Sequence, residues 1–99
     1  MKRLFVVFTL AALSTPSFAL QFCALDVQGK DGAWTNVLHA DRGEKFGDKT
    51  VNKLDDGDTC RSEGRKIGPD HCQSLDGVQY RTRAMKNTDV EKTWYGQCV

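Results

Sequence analysis

Three stretches of the chain follow a two-residue period of apolar and polar positions. In the first, Cys23, Leu25 and Val27 alternate with Ala24, Asp26 and Gln28. A two-residue period sends alternate side chains to opposite faces, so Phe22 to Gln28 reads as a strand whose buried face includes a cysteine. The second stretch, Ala33 to Ala40, sets Trp34, Asn36 and Leu38 against Thr35, Val37 and His39. Gly29-Lys30-Asp31-Gly32 lies between them as a four-residue turn, which predicts a hairpin. In the third, Val78, Tyr80, Thr82 and Ala84 alternate with Gln79, Arg81, Arg83 and Met85. A polar connection from Lys86 to Glu91 then leads to Thr93-Trp94-Tyr95-Gly96-Gln97-Cys98, a closing strand anchored by its cysteine. Trp94, Gly96 and Cys98 share a side, so a buried Cys98 makes Trp94 core and turns Tyr95 outward.

The middle of the chain is harder to pattern. Asp41 to Lys49 reads as a polar loop in which Phe46 plugs the edge of the core. Thr50 to Leu54 is a short strand, and Asp55-Asp56-Gly57-Asp58 a tight acidic turn. Thr59 to Asp70 offers only Cys60 and Ile67 for burial and reads as irregular, held by cysteines at or just beyond its ends. His71 to Leu75 is a short strand candidate, followed by a hairpin signal at Asp76-Gly77. No segment sustains a 3.6-residue apolar repeat. The expectation is all-β: a small disulfide-stapled antiparallel sandwich or barrel of roughly five to seven short strands.

The N-terminus changes what counts as the domain. Met1-Lys2-Arg3 precedes an apolar run from Leu4 to Leu13, too short to span a bilayer, and Ser17-Phe18-Ala19 follows Pro16. This reads as a signal peptide over 1–19, cleaved after Ala19, with a single secreted domain over 20–99, extracellular or, in a bacterium, periplasmic. Without Lys2 and Arg3 the charges are 12 basic and 13 acidic. That near balance argues against a general binder of nucleic acids or membranes. Cys23, Cys60, Cys72 and Cys98 all fall in the mature part and read as two disulfides. Four cysteines allow three pairings; the nested one (Cys23–Cys98, Cys60–Cys72) and the crossed one (Cys23–Cys72, Cys60–Cys98) stand foremost. No Cys-x-x-Cys or His-x-x-x-His spacing points to a metal, and no cofactor is implied.

Candidate chemistry is sparse. His39 and His71, with Glu44 or Glu63 and an arginine, could act as acid and base in a secreted ribonuclease. The acidic turn lacks the spacing of a calcium loop. Arg81 and Arg83 share a strand face, with Lys86 just beyond, a ridge suited to carboxylates or phosphates. Tyr95, turned outward, completes the candidate binding set. No nucleophile elbow, phosphate loop or HExxH motif occurs.

Phe22-Cys23 opening the first strand, Cys72 introducing Cys72-Gln73-Ser74-Leu75-Asp76-Gly77, and a terminal cysteine together resemble the pattern of the fungal MAX (ToxB-like) effectors. The resemblance maps Cys23 and Cys72 onto that family's structural cysteines. It implies a six-stranded β-sandwich and a non-enzymatic, effector-like interaction protein targeted to a host; a monomer is expected. Asp76-Gly77-Val78-Gln79-Tyr80 is similar to the small-Gly-x-x-Tyr segment of the membrane-associated lysozyme inhibitors. That implies a periplasmic inhibitor of a host hydrolase instead.

Overall fold

The computed structural model describes residues 20–52, 55–86 and 91–99. The expected signal peptide lies outside the described residues, as do Lys53, Leu54 and most of the connection after Lys86. In chain order the elements are β1 (Leu20–Gln28), β2 (Trp34–Asp41), β3 (Lys45–Phe46), β4 (Lys49–Thr50), α1 (Asp58–Leu75), β5 (Gln79–Lys86) and β6 (Glu91–Gln97). The fold is mostly β and antiparallel. Four strands form one sheet in the order β2-β1-β5-β6, β3 and β4 form a small hairpin, and α1 packs on one face of the sheet.

β1 and β2 pair as the alternation predicts, through a turn in which Gly32 takes φ 87°. Leu25 faces Leu38, but the next residue, Asp26, faces Asn36, so Val37 is an extra residue in β2. This bulge shifts the phase of the strand. Trp34 and Asn36 stay on one face while Leu38 and Ala40 turn to the other, against the core. β5 buries Tyr80, Thr82 and Ala84, as its alternation requires.

The helix corrects the reading of the middle of the chain. Thr59 to Asp70 is not irregular, and His71 to Leu75 is not a strand; both belong to α1. Its buried stripe is Cys60, Gly64, Gly68 and Cys72, spaced by four residues and therefore on one side of a helix. Two of those four residues are glycines, invisible to a search for apolar repeats. Their absent side chains let the helix lie directly on β5. A Cβ on Gly64 would fall 1.9 Å from Thr82 Oγ1, and one on Gly68 2.6 Å from the Tyr80 ring. The acidic turn is the lead into this helix. Asp55 accepts hydrogen bonds from the Gly57 and Thr59 N–H groups and the Thr59 hydroxyl. Burial works against its charge, but those donors hold its carboxyl below the usual range. At the other end the Asp76 and Gly77 N–H groups return to the Gln73 and Cys72 carbonyls, with Asp76 left-handed at φ 54°. Asp76-Gly77 is therefore a helix stop rather than a hairpin turn.

Both disulfides end on α1. Cys23–Cys60 ties it to β1, and Cys72–Cys98 ties it to the residue after β6. This is the sequential pairing, neither the nested nor the crossed one. Between helix and sheet the core gathers Leu25, Val27, Ala40, Phe46, Val51, Tyr80 and Ala84 around the bridges. Phe46 is fully buried, the plug that the sequence foreshadowed. Glu63 is buried beside it, accepting the Asp48 N–H at 3.1 Å and pairing with Lys66 at 3.1 Å. The Asp48 N–H, with Lys66, outweighs burial and lowers its carboxyl's pKa.

Candidate functional site

The face of the sheet away from α1 carries a charged network centred on Asp26. Asp26 alternates with Leu25 and Val27 and so points away from the core, yet it is only 2% exposed. Register explains this: Asp26 stands opposite Asn36 on one side and Arg81 on the other. Arg81 Nε and Arg83 Nε each donate to Asp26 Oδ2 at 2.7 Å, and Arg83 Nη2 donates to Oδ1 at 3.3 Å. Asn36 Nδ2 donates to Oδ1 at 3.0 Å. Burial opposes ionisation of Asp26, but Arg83, Asn36 and Arg81 overcome it and hold the carboxyl below its usual range. Arg83 also reaches Glu91 at 3.4 Å. Burial disfavours its charge, while Asp26 and Glu91 hold the guanidinium firmly protonated. Two carboxylates answer two guanidiniums, so the network balances its own charge.

Trp34 lies over this network. β2 and β6 stand three strand spacings apart, about 14 Å. Nevertheless the Trp34 ring centroid is 6.1 Å from that of Tyr95 on β6, because the indole leans across the sheet. It passes over Arg81, whose guanidinium carbon is 4.1 Å from the indole centroid. Tyr95 is 62% exposed, and Trp94 packs against the core, as the side shared with Cys98 requires. Gln28 and Gln79 hydrogen-bond at 2.6 Å beside the stack. The result is an aromatic ridge, Trp34 and Tyr95, braced by an arginine held from beneath.

Of the binding set read from sequence, Arg81, Arg83 and Tyr95 share this face. The Lys86 side chain lies outside the described residues. Both arginines spend their Nε donors on Asp26, leaving about a quarter of each side chain exposed. The ridge is thus not a row of free cations. Asp26, Asn36 and Trp34 escaped the sequence reading; the one signal was an acidic residue within an otherwise apolar strand. The histidines are not brought together. His39 stacks on Phe22 at 4.7 Å and pairs with Asp41 at 2.9 Å on the helix-free face. His71 lies on α1, which covers the opposite face. Glu44 accepts the Asp41 N–H, and Glu63 is occupied beneath the hairpin. Among the described residues no group of three or more His, Cys, Asp or Glu could hold a metal ion, and no helix is long and apolar enough to cross a membrane.

No protein-family model, no curated protein and no solved structure matches this chain.

Proposed function

We propose that the domain is a small secreted, non-enzymatic binding protein, effector-like in action, whose helix-free sheet face contacts a protein partner. The observation that carries this reading is the Trp34–Arg81–Tyr95 stack. Trp, Tyr and Arg are the residues that most often dominate protein interfaces, and here Arg81 is held by Asp26 beneath the Trp34 ring before any partner arrives. The two disulfides are compatible with an oxidising destination. The carboxylate at the centre of the network is committed to arginines.

The test is affinity capture from extracts of candidate hosts with the oxidised domain, beside Trp34→Ala and Tyr95→Ala variants of unchanged circular dichroism. A partner should be retained saturably by the parent and lost with either variant, each weakening affinity by roughly tenfold or more. Equal retention by the variants, or no saturable partner at all, would overturn the reading. Titration against lysozymes asks in the same format whether that partner is a host hydrolase.

A further inference from the structure

β6 ends the sheet. It pairs with β5 along one edge, and no described strand pairs with the other. Between that edge and α1 runs a groove of about 560 Å³, lined by Arg61, Arg65, Tyr80, Thr82, Trp94 and Gly96, and by Tyr95, which it shares with the ridge. We propose that this groove binds an extended acidic peptide, which adds to β6 as a fifth strand and sets two carboxylates against Arg61 and Arg65.

Charge is the first argument. Arg61 and Arg65 are exposed on α1, and neither pairs with a carboxylate among the described residues. Among the described residues no acidic side chain lines the groove. Its floor adds two hydroxyls. Tyr80 is 7% exposed and Thr82 2%, and neither has a hydrogen-bond partner for its hydroxyl among the described residues. Buried hydroxyls are ordinarily satisfied, so the Tyr80 hydroxyl asks for an acceptor from outside, whereas Thr82 Oγ1 is covered by Gly64 of α1. Gly96 brings the phenol within reach. A Cβ there would fall 2.2 Å from Tyr80 Cζ and 2.4 Å from its hydroxyl, so only a glycine lets Tyr80 extend beneath β6.

Spacing is the second argument. Arg61 and Arg65 are one turn apart, about 6 Å along the helix axis. Same-face side chains on a strand recur every second residue, about 6.7 Å. α1 is aligned with the sheet strands, since Gly64 lies over Thr82 and Gly68 over Tyr80. A strand added to β6 with glutamates at i and i+2 therefore meets one arginine with each carboxylate. Backbone pairing along the open edge supplies affinity, and the two cations choose the sequence. A second copy fits poorly: pairing β6 with β6 would bring the arginines of both copies together.

The experiment is fluorescence anisotropy with the oxidised domain and a labelled Thr-Glu-Val-Glu-Thr peptide. Three comparisons accompany it: the Gln-for-Glu peptide, a backbone N-methylated peptide and inorganic phosphate as competitor. Saturable binding should weaken roughly tenfold to a hundredfold in the Arg61→Gln/Arg65→Gln variant and with the Gln peptide. N-methylation should abolish it. His39→Ala, on β2 at the far edge of the sheet and outside the groove lining, should leave it unchanged, and the capture experiment reads the ridge separately. No saturable binding, equal affinity for the Gln peptide, or indifference to N-methylation overturns the proposal. So does full competition by phosphate at the peptide's own concentration, which makes the groove a simple anion site. Sedimentation of the parent as a dimer that the peptide cannot dissociate would likewise overturn it.

Discussion

Asp26 illustrates how one residue can organise a face. An isolated buried carboxylate would be severely destabilising, but this one accepts from two guanidiniums and an amide, so its ionised form is the stable one in the fold. Because its folded pKa lies below its unfolded value, its contribution is fully present above the unfolded value, about 3.9. It is lost as pH falls through the folded pKa. Asp55 and Glu63 share that sign. Asp26→Ala should lower stability at pH 7 by about 3 kcal/mol. That is the low end for breaking a buried pair, since both arginines keep partial access to water. The variant should also lose less stability than the parent between pH 5 and the acid limit. Urea unfolding of both proteins across that range checks both statements. An acid profile of unchanged steepness would mean that Asp26 is not a source of the acid sensitivity.

Among the elements, α1 reverses an ordinary rule. Glycine to alanine within an exposed helix stabilises by up to about 1 kcal/mol. At Gly64 and Gly68 the added methyl has no room above Thr82 and Tyr80. Gly64→Ala and Gly68→Ala should each destabilise by about 1–3 kcal/mol, the usual penalty of overpacking, measured by urea midpoints at constant slope. A midpoint that rises would show the helix standing farther from the sheet than described. The same two residues account for what the sequence concealed. Three of the long strands were legible because alternation reports burial directly, and β6 through its aromatics and the cysteine that follows it. The helix was not, because its buried stripe is made of glycine and cysteine and because Pro69, ordinarily a helix breaker, lies inside it. The bulge at Val37 was equally hidden, since one inserted residue shifts the phase without changing the composition. Arg81, Arg83 and Tyr95 could be placed on a common face from their own strands. Trp34 could not, because its lean across the sheet depends on long-range register. Nor could Arg61 and Arg65, because their juxtaposition with β6 required the helix.

The molecule as a whole is a sheet and a helix cross-linked at both ends of the helix. Non-reducing tryptic mapping should find Cys23 linked to Cys60 and Cys72 linked to Cys98. Cleavage after Arg61, Arg65 or Lys66 puts the two helical cysteines on separate peptides, so any other pairing would be visible at once. With sequence separations of 37 and 26 residues, the chain-entropy model assigns each bridge about 3.5–4 kcal/mol. Replacing either pair by serine should lower the unfolding free energy by about 2–4 kcal/mol in the same urea assay, a large share for a domain of this size.

The sequential order of those bridges has a consequence for how the chain matures. A polypeptide delivered N-terminus first into an oxidising space presents Cys23 and Cys60 while Cys72 and Cys98 are still arriving. The first two cysteines to arrive are native partners and the last two are left for each other, so oxidation in order of arrival produces the native pattern.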